Sequence, residues 1–356
     1  MDEIWVLGAT GRSGRAISIE LAARGLSPVL VGRDTAGLRE VAAKIGGRAR
    51  TLEIGSALDV AAQVSRQRPA VVVNTIGPFA RTAAPIVHAC PPGTHYLDLT
   101  NDAFTMIDLL ALHEQTAAAG SCVIPGAGFG VLATESVVSA LCANRPTPQR
   151  VRVAAVPAVE IEPGPLGSAL AASILDLLPA GGRRYEHDRM TRMRLGGGCE
   201  QLTLPDGSTV RTAALPSGEL VAAQHASGAA FVVAASSEAP TGRLIRAVLP
   251  VAAALLSVRV LRTTATHRLA RVHLAHRPRP REFTWAHARI QWSDGSVREG
   301  WLRAGDAMAF TAAVAAEIAA RLQRGEGRPG VHTPAEVFGP ELAIAAGGHL
   351  ILDQSA

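Results

Sequence analysis

The most constraining feature of the chain is the run over residues 4–34, IWVLGATGRSGRAISIELAARGLSPVLVGRD. Four apolar residues, typical of a buried strand, lead into a loop that carries Gly8, Gly11 and Gly14. A helix with an apolar face follows, and a second apolar strand lies at residues 28–31. Glycines suit this loop because the chain turns sharply, a pyrophosphate must touch the backbone, and the helix must pack closely on the strand. The pattern predicts a dinucleotide-binding strand–helix–strand unit.

The end of the second strand points to one of the two nicotinamide dinucleotides. A carboxylate in this place suits the ribose 2′-hydroxyl of NAD, whereas an arginine suits a 2′-phosphate. Here Arg33 comes before Asp34, and Arg12 adds a second positive charge in the glycine loop. We therefore expect NADP(H), with a glycine-rich turn in an ordinary α/β protein as the alternative. The expected cofactor contacts in this region are Gly8, Ala9, Thr10, Gly11, Arg12, Ser13, Gly14, Gly32, Arg33 and Asp34.

Strands and helices keep alternating after this unit, up to about residue 135. Such alternation predicts parallel strands joined by right-handed helical crossovers, which together form a doubly wound α/β sheet of Rossmann type. Ligands of these sheets bind beyond the carboxyl ends of the strands. We therefore expect a dinucleotide-binding domain over residues 1–135.

From about residue 150 the pattern changes. Two Asp-Gly turns, at residues 206–207 and 294–295, join segments in which apolar and polar residues alternate. These segments predict β-hairpins of an antiparallel sheet. Helices are expected over residues 168–178 and 244–256.

Two further parts of the chain are therefore expected. An α+β domain over residues 136–304 would cover one face of the cofactor cleft and supply substrate specificity. A long alanine-rich helix then lies in the C-terminal segment, residues 305–356, and is expected to return to the first domain.

Composition limits the class of protein. With 356 residues, 48% hydrophobic and 18% charged, the chain is long enough for two domains with their own cores. The net charge is +5, and the basic residues are spread through the chain except for a cluster at residues 276–281. Because no aromatic side chains alternate with the basic ones in this cluster, nucleic-acid binding is not expected. The longest apolar run, residues 247–258, is too short to span a bilayer. It favours a buried or interfacial helix, and an apolar contact with a lipid-like ligand stays open.

The four cysteines lie far apart, and no histidine or carboxylate cluster accompanies them, so we expect no metal site. The N-terminus has no secretion signal, and together with the free thiols this indicates a cytoplasmic protein without a transmembrane segment.

Lys44 is the only lysine of the chain, and it lies in the last turn of a helical pattern that ends in glycines. A lysine proton donor and Schiff-base chemistry therefore have almost no candidate. The Tyr-x-x-x-Lys pair of short-chain dehydrogenases is absent, because Tyr96 is followed four residues later by Thr100 and Tyr185 by Arg189.

Three further stretches at strand ends could carry chemistry. Tyr96 and Asp98 share one face of a strand and are the candidate proton donors or relays; alternatively, Asp98 caps the next helix or binds backbone N–H groups. Asp102 and Phe129 are candidate substrate contacts, and burial of Phe129 at the domain junction is the alternative. A strand that ends in small residues would border the nicotinamide or ribose through Thr75, Ile76, Gly77, Pro78 and Phe79.

Several of these motifs together resemble the saccharopine dehydrogenase-like (saccharopine reductase-type) oxidoreductases, including the branch described as trans-acting enoyl reductases. The resemblance covers the first ~135 residues and resumes at residues 330–342. The motifs that carry it are GATGRSG with VGRD, NTIGPF, the His-Ala-Cys segment, GTHYLDLTND, PGAGFG and GVHTPAEVFGPEL.

The resemblance implies an NADP-binding Rossmann domain, an inserted α+β domain for substrate binding and dimerisation, and hence a homodimer. It places the phosphate loop on Gly8, Gly11 and Gly14, the 2′-phosphate contact on Arg33, and nicotinamide-side roles on residues 75–79 and on Tyr96 and Asp98. Relatives commonly have Leu-Thr-Gly-Glu where this chain has Leu-Thr-Asn-Asp at residues 99–102, so the role of that glutamate does not carry over.

These observations lead to two hypotheses. In the first, the chain is an NADPH-dependent reductase that transfers hydride to a C=C or C=N bond of a hydrophobic or carrier-linked organic intermediate in specialised metabolism. In the second, it is a non-catalytic NADP(H)-binding sensor or scaffold protein with the same fold.

Overall fold

The computed structural model describes residues 3–352, apart from 48, 162, 168–170, 173, 176–177 and 179–180. Most of the helix expected over residues 168–178 therefore lies outside the described residues. The chain divides into two compact units. Unit 1 consists of Met1–Leu132 and Met308–Gly347, and unit 2 consists of Ala133–Ala307 and Gly348–Ala356.

The first part of the chain alternates strands and helices, as its sequence predicts. The elements are β1 (Ile4–Leu7), α1 (Arg12–Ala23), β2 (Val29–Gly32), α2 (Thr35–Lys44), β3 (Thr51–Glu53), α3 (Ala57–Gln67), β4 (Val71–Asn74), α4 (Phe79–Ala89), β5 (His95–Asp98), α5 (Ala103–Leu110), α6 (His113–Ala118), β6 (Cys122–Ile124) and α7 (Phe129–Cys142).

Strands dominate the next part, and helices return towards the end. The elements are β7 (Arg150–Val156), β8 (Gly164–Pro165), β9 (Gly182–Glu186), β10 (Arg189–Met193), β11 (Glu200–Thr203), β12 (Thr209–Ala214), α8 (Gly218–Ser227), β13 (Phe231–Ser236), α9 (Arg243–Ser257), α10 (Arg259–Ala270), β14 (His273–Leu274), β15 (Thr284–Gln291), β16 (Val297–Ala304), α11 (Ala307–Gln323), β17 (Gly330–Val331), α12 (Pro334–Phe338), α13 (Glu341–Ala345) and β18 (His349–Leu352).

Unit 1 is built on a sheet with the strand order β17-β6-β5-β4-β1-β2-β3, in which every neighbouring pair is parallel. Every residue of β1, β2 and β4 is buried, as expected for strands that helices cover on both faces. The order changes direction at β1 and β4, and ligands of such sheets bind at this point. The predicted doubly wound Rossmann-type sheet is confirmed.

Most of the C-terminal segment belongs to unit 1 and adds a strand to this sheet, whereas β18 pairs with β16 in unit 2. Met308 to Gly347 belong to unit 1, and β17 pairs in parallel with β6, through Gly330 with Cys122 and Val331 with Val123. An ion pair joins Arg24 at the end of α1 to Glu317 on α11. The expectation that a C-terminal helix returns to the first domain is confirmed.

Unit 2 is built on a larger sheet, in which β10-β9-β13-β7-β15-β16-β18 follow one another and β12 and β11 continue from β13. The two Asp-Gly turns connect β11 to β12 and β15 to β16, and both glycines have positive φ angles, as predicted for hairpins. Neighbouring strands of this sheet are antiparallel, as expected, except for β7 and β13, which are parallel. The long connection between these two strands permits the parallel arrangement.

The helix expected over residues 244–256 is α9, and α10 follows it after Val258. Within the described residues, no helix combines the length and the apolar character needed to cross a membrane.

Candidate dinucleotide-binding site

The glycine loop after β1 has backbone geometry that only glycine fits. Gly8 has φ of +77°, and its N–H and that of Ala9 donate to the carbonyl of Val31 at 2.8 and 3.0 Å. A Cβ on Gly14 would lie 2.3 Å from the carbonyl oxygen of Gly8, far inside van der Waals contact. The missing side chain therefore lets α1 approach β1, which is the role that the sequence assigned to this glycine.

The first turn of α1 is open to an anion. Gly11 is the N-cap residue, is exposed, and offers no side chain to cap the helix. The first turn holds no acidic residue, whereas Arg12 lies in it. Backbone N–H groups at the start of a twelve-residue helix, with the positive end of its dipole, suit a phosphate. The loop therefore has the shape and the charge of a pyrophosphate cradle, and Thr10, Arg12 and Ser13 are half-buried at its rim.

The end of β2 places Arg33 next to this loop. A Cβ on Gly32 would lie 3.7 Å from Thr10 Oγ1, so the two loops are neighbours. Arg33 is exposed, while the carboxylate of Asp34 accepts a hydrogen bond from the N–H of Gly37 at 3.1 Å and caps α2. Asp34 is therefore engaged as a helix cap, whereas the guanidinium of Arg33 is exposed close to the glycine loop.

The loop after β4 lies directly against the glycine loop. Thr75 donates from its backbone N–H and from its hydroxyl to the carbonyl of Leu7, at 3.0 and 2.7 Å. A Cβ on Gly8 would lie 2.8 Å from Thr75 Oγ1. The N–H of Ile76 donates to the side-chain oxygen of Asn74 at 2.9 Å. The rest of the expected nicotinamide-side set continues the loop into α4: Gly77, Pro78 and Phe79.

Tyr96 and Asp98 form a closed hydrogen-bond network at the end of β5. Both side chains are fully buried. Asn74 Nδ2 donates to the Tyr96 hydroxyl at 3.0 Å, and that hydroxyl donates to Asp98 Oδ2 at 2.8 Å. The N–H groups of Thr100 and Gly126 donate to Asp98 Oδ1 at 2.9 and 3.3 Å. Asp98 thus binds backbone N–H groups, which is one of the two roles that the sequence left open.

Burial sets the ionisation of this pair. Desolvation raises the pKa of Asp98 to about 6, even though the hydrogen bonds from Thr100, Tyr96 and Gly126 act in the opposite direction. Burial, followed by the charge of Asp98, raises the pKa of Tyr96 well above its ordinary value of 10.

Asn74 links the loop after β4 to this pair, and sequence reasoning missed it. In the sequence, Asn74 is the only polar residue of an otherwise apolar strand, VVVN, and this contrast could have identified it.

The two predicted substrate contacts occupy helix starts. Asp102 caps α5: its Oδ1 accepts from the N–H and from the hydroxyl of Thr105, both at 2.7 Å. Phe129 opens α7, is buried, and packs edge-to-face on Phe310 with ring centroids 6.1 Å apart. Lys44, at the end of α2, forms an exposed ion pair with Glu40 at 2.8 Å.

Unit 2 contains a separate polar cavity of about 410 Å³ that sequence reasoning also missed. His287 lines it, is 2% exposed, and packs on Trp301 with ring centroids 4.2 Å apart. Its Nε2 lies 3.5 Å from Glu299 Oε2, which is an ion-pair distance at the outer limit of a hydrogen bond. The His287 ring, ahead of the charge of Arg289, holds the pKa of Glu299 below its ordinary value. The remaining lining residues are Glu200, Gln201, Leu202 and Thr203.

No group of three or more His, Cys, Asp or Glu side chains that could hold a metal ion occurs among residues that the structure describes.

Comparison with known proteins extends these observations. No family model matches the chain. A putative trans-acting enoyl reductase of Mycobacterium tuberculosis is 34% identical over 146 residues, which are 39% of this chain and 35% of that protein. The trans-acting enoyl reductase of Mycobacterium leprae is 34% identical over 134 residues, 36% of this chain and 32% of that protein. The chain thus spans about a third of the length of the curated relatives that it matches.

Among solved structures, apo saccharopine dehydrogenase (L-Glu forming) of Saccharomyces cerevisiae superposes with a TM-score of 0.62 over 99% of this chain and 100% of that one. The chain has the saccharopine dehydrogenase fold. At 12% sequence identity this similarity concerns the fold alone. The resemblance inferred from the sequence motifs is therefore confirmed, in the fold over nearly the whole chain and in the sequence over about two fifths of it.

Proposed function

We propose that the chain is an NADP(H)-dependent reductase that transfers hydride to a C=C or C=N bond of a hydrophobic or carrier-linked organic intermediate. One observation carries the proposal: the glycine loop after β1, which a Cβ on Gly14 would close, lies beside Arg33 at the end of β2. A cradle for a pyrophosphate next to a free guanidinium fits a dinucleotide with a 2′-phosphate.

Each part of the site has a proposed role toward this cofactor. The backbone of Gly8, Gly11 and Gly14 would hold the pyrophosphate, and Arg33 with Arg12 would bind the 2′-phosphate. The loop of residues 75–79 would border the nicotinamide, because Thr75 holds it against the glycine loop. NADPH supplies, when bound, the hydride of the reduction.

Tyr96 and Asp98 are proposed as the source or relay of the proton. The pKa of about 6 allows Asp98 to exchange a proton near neutral pH, and the Tyr96 hydroxyl is hydrogen-bonded to it at 2.8 Å. Their complete burial means that a proton could reach substrate only by way of a further group or a water molecule. Asp102 and Phe129 remain the proposed substrate contacts.

The substrate class rests on the names of the relatives. Two mycobacterial proteins that match about two fifths of this chain are called trans-acting enoyl reductases, and this favours a C=C bond as the hydride acceptor. The apolar composition of residues 136–304 is the sequence observation that favours a hydrophobic or carrier-linked intermediate, of the kind found in specialised metabolism.

A second candidate function is a non-catalytic NADP(H) sensor or scaffold. The closed network around Tyr96 and Asp98 favours it, because protein groups already satisfy both side chains and neither is exposed. Both candidates bind NADPH, but only the reductase consumes it.

The deciding experiment follows the absorbance of NADPH with purified protein and a panel of enoyl thioesters and cyclic imines. The reductase hypothesis predicts consumption of NADPH with at least one substrate class. It further predicts that Asp98→Asn and Tyr96→Phe lower kcat by about 100-fold or more while the NADPH affinity stays unchanged. Turnover by both variants at the wild-type rate would remove these residues from catalysis, and tight NADPH binding without turnover on any substrate would favour the sensor.

A further inference from the structure

Helices α9 and α10 follow each other with one residue between them and carry many exposed apolar side chains. We call these helices, together with Val258 between them, the α9–α10 hairpin. The two helices pack on each other. None of the twelve residues of α10 is buried. Seven of the fourteen exposed large apolar side chains among the described residues lie on or beside this hairpin: Val248, Val251, Leu255, Val258, Val260, Leu261 and Val272.

Four exposed apolar residues, three on α9 and one directly after it, form a continuous stripe. Val248, Val251, Leu255 and Val258 follow one another at spacings of three, four and three residues, which places them on one side of the helix. Their exposed fractions are 61%, 61%, 55% and 52%. Proteins rarely leave so contiguous an apolar surface in water unless it meets a partner.

The charge of the same region has a single sign. Between Glu238 and Glu282 the sequence contains nine arginines and three histidines, but no aspartate or glutamate. Arg259, Arg268 and Arg271 are exposed on or next to α10. The hairpin therefore combines an apolar stripe with several arginines and no carboxylate in its own sequence, the composition of helices that lie on anionic membranes.

The hydroxyl groups of the hairpin are compatible with an apolar environment. Ser257, Thr263, Thr264 and Thr266 each donate to the backbone carbonyl four residues earlier, at 2.9 to 3.0 Å. A hydroxyl whose hydrogen bond is already made within its own helix costs less to remove from water than one that is hydrated. The hairpin can therefore approach acyl chains without leaving these donors unpaired.

We propose that the α9–α10 hairpin binds the surface of an anionic lipid bilayer, with the α9 stripe in the headgroup–acyl boundary and the arginines on lipid phosphates. A second copy of the chain fits this surface less well, because two segments without carboxylates would face each other. An acidic protein would pair with the arginines but would not by itself require the valine and leucine stripe.

The test is flotation of the 356-residue chain with vesicles of equal parts phosphatidylglycerol and phosphatidylcholine, compared with vesicles of phosphatidylcholine alone. The wild type is expected to float with the anionic vesicles, and less so as salt is raised. The double variant Val251→Gln/Leu255→Gln should lower the partition coefficient by about tenfold or more. The double variant Arg259→Gln/Arg268→Gln should lower it by about 25-fold, at about fivefold per arginine.

Matched controls come from α3. Leu58, which is 78% exposed, and the exposed Arg66 allow Leu58→Gln and Arg66→Gln, which should partition like the wild type. All substituted side chains are exposed, so thermal unfolding should stay unchanged and loss of binding cannot come from misfolding.

Three outcomes would overturn the proposal. The wild type could stay unbound to anionic vesicles at low salt. Sedimentation velocity could show that Val251→Gln/Leu255→Gln splits a dimer without changing vesicle partition, which would make the stripe a contact between copies. Poly-L-glutamate could displace the protein while only the arginine variant loses binding, which would indicate an acidic protein partner.

Discussion

At the scale of single residues, the proposed dinucleotide site depends on an absent side chain as well as on a charged one. Gly14 carries no side chain at a point where a Cβ would lie 2.3 Å from the Gly8 carbonyl. Arg33 is exposed, while its neighbour Asp34 is engaged in capping α2. Of the residues proposed to bind the cofactor, Arg33 therefore gives the sharpest test of specificity, and Gly14 gives the sharpest test of the cradle.

Arg33→Gln tests the specificity. The substitution removes the cation proposed to bind the 2′-phosphate, and a charged hydrogen bond of this kind contributes about 1.5–3 kcal/mol. We expect the Kd for NADPH to rise by about 10- to 100-fold and the Kd for NADH to change little, as measured by isothermal titration calorimetry. The control is Arg39→Gln, an exposed arginine on α2. Equal weakening of NADPH and NADH binding would count against a 2′-phosphate contact.

Gly14→Ala tests the cradle. The added methyl group must push α1 away from β1, so we expect a loss of about 2–3 kcal/mol in the free energy of unfolding, measured in urea. NADPH binding should be lost even at temperatures at which the variant is folded. Gly55→Ala is the matched control, since a Cβ there meets no atom within 4 Å; it should change stability by less than about 0.5 kcal/mol. Normal NADPH binding by Gly14→Ala would show that the close approach is not required.

Asp98 predicts a pH dependence of stability. Its pKa is about 6 in the folded protein against an ordinary value of 3.8, so the folded state holds this proton more tightly than the unfolded chain does. Stability from this group is therefore present below about pH 4 and is lost as the pH rises through about 6, by about 3 kcal/mol in total. Asp98→Asn removes this titration.

The measurement is the free energy of unfolding of both proteins in urea between pH 4 and pH 7. The wild type should lose stability relative to Asp98→Asn over this range, and the difference should level off above the folded-state pKa. Parallel pH profiles of the two proteins would show that Asp98 does not titrate as its burial requires.

At the scale of elements, the motif near the C-terminus has a structural explanation. Gly330 has φ of +116°, and a Cβ there would lie 2.6 Å from the His113 ring, which packs edge-to-face on His332. His113 Nδ1 is 3.0 Å from the carbonyl of Val331. Sequence resemblance singled out GVHTPAEVFGPEL, and the structure shows that the motif adds β17 to the parallel sheet and then starts α12.

Glu336 stabilises the start of α12. It lies 2.8 Å from the Nδ1 of buried His332, is hydrogen-bonded to Arg328, and completes a capping box with Thr333. Burial acts to raise the pKa of Glu336, but His332 and Arg328 outweigh it, so the pKa lies below its ordinary value of 4.5. Glu336→Ala should therefore cost about 1–2 kcal/mol at neutral pH.

Urea unfolding checks this value, and the difference from the wild type should shrink as the pH falls below 4.5 and Glu336 becomes protonated. The exposed Glu114→Ala serves as the control and should have little effect. Equal stability of Glu336→Ala and the wild type at pH 7 would mean that the capping box and ion pairs contribute nothing.

Sequence predicted the elements of unit 1 better than those of unit 2. Apolar strands that alternate with helices and are followed by glycines usually form a parallel sheet. The spacing of the glycines also predicted the close packing of α1 on β1. The parallel pairing of β7 with β13 could not be inferred, because two strands far apart in sequence leave no local signal of their direction.

Prediction of the candidate site from the sequence was limited for the same reason. Tyr96 and Asp98 could be placed on one strand face, but their link to Asn74 depends on the pairing of β4 with β5. The cavity around His287 depends on the pairing of β15 with β16, which sets His287 opposite Trp301. Contacts between strands decide both, and a single sequence does not contain them.

At the scale of the whole molecule, the features on which the two proposals depend lie in different units. Unit 1 has the dinucleotide-binding geometry, and unit 2 has a large sheet, a polar cavity and the exposed α9–α10 hairpin. The fold matches saccharopine dehydrogenase over its full length, while relatives at 34% identity are about three times longer than the matched region. The homodimer expected from the resemblance stays a prediction.

The most direct test of the central claim is calorimetric titration of the wild-type protein with NADPH and with NADH under the same buffer and salt conditions. A pyrophosphate cradle beside Arg33 predicts that NADPH binds one site per chain at least tenfold more tightly than NADH. Absence of binding by either dinucleotide, or tighter binding of NADH, would contradict it.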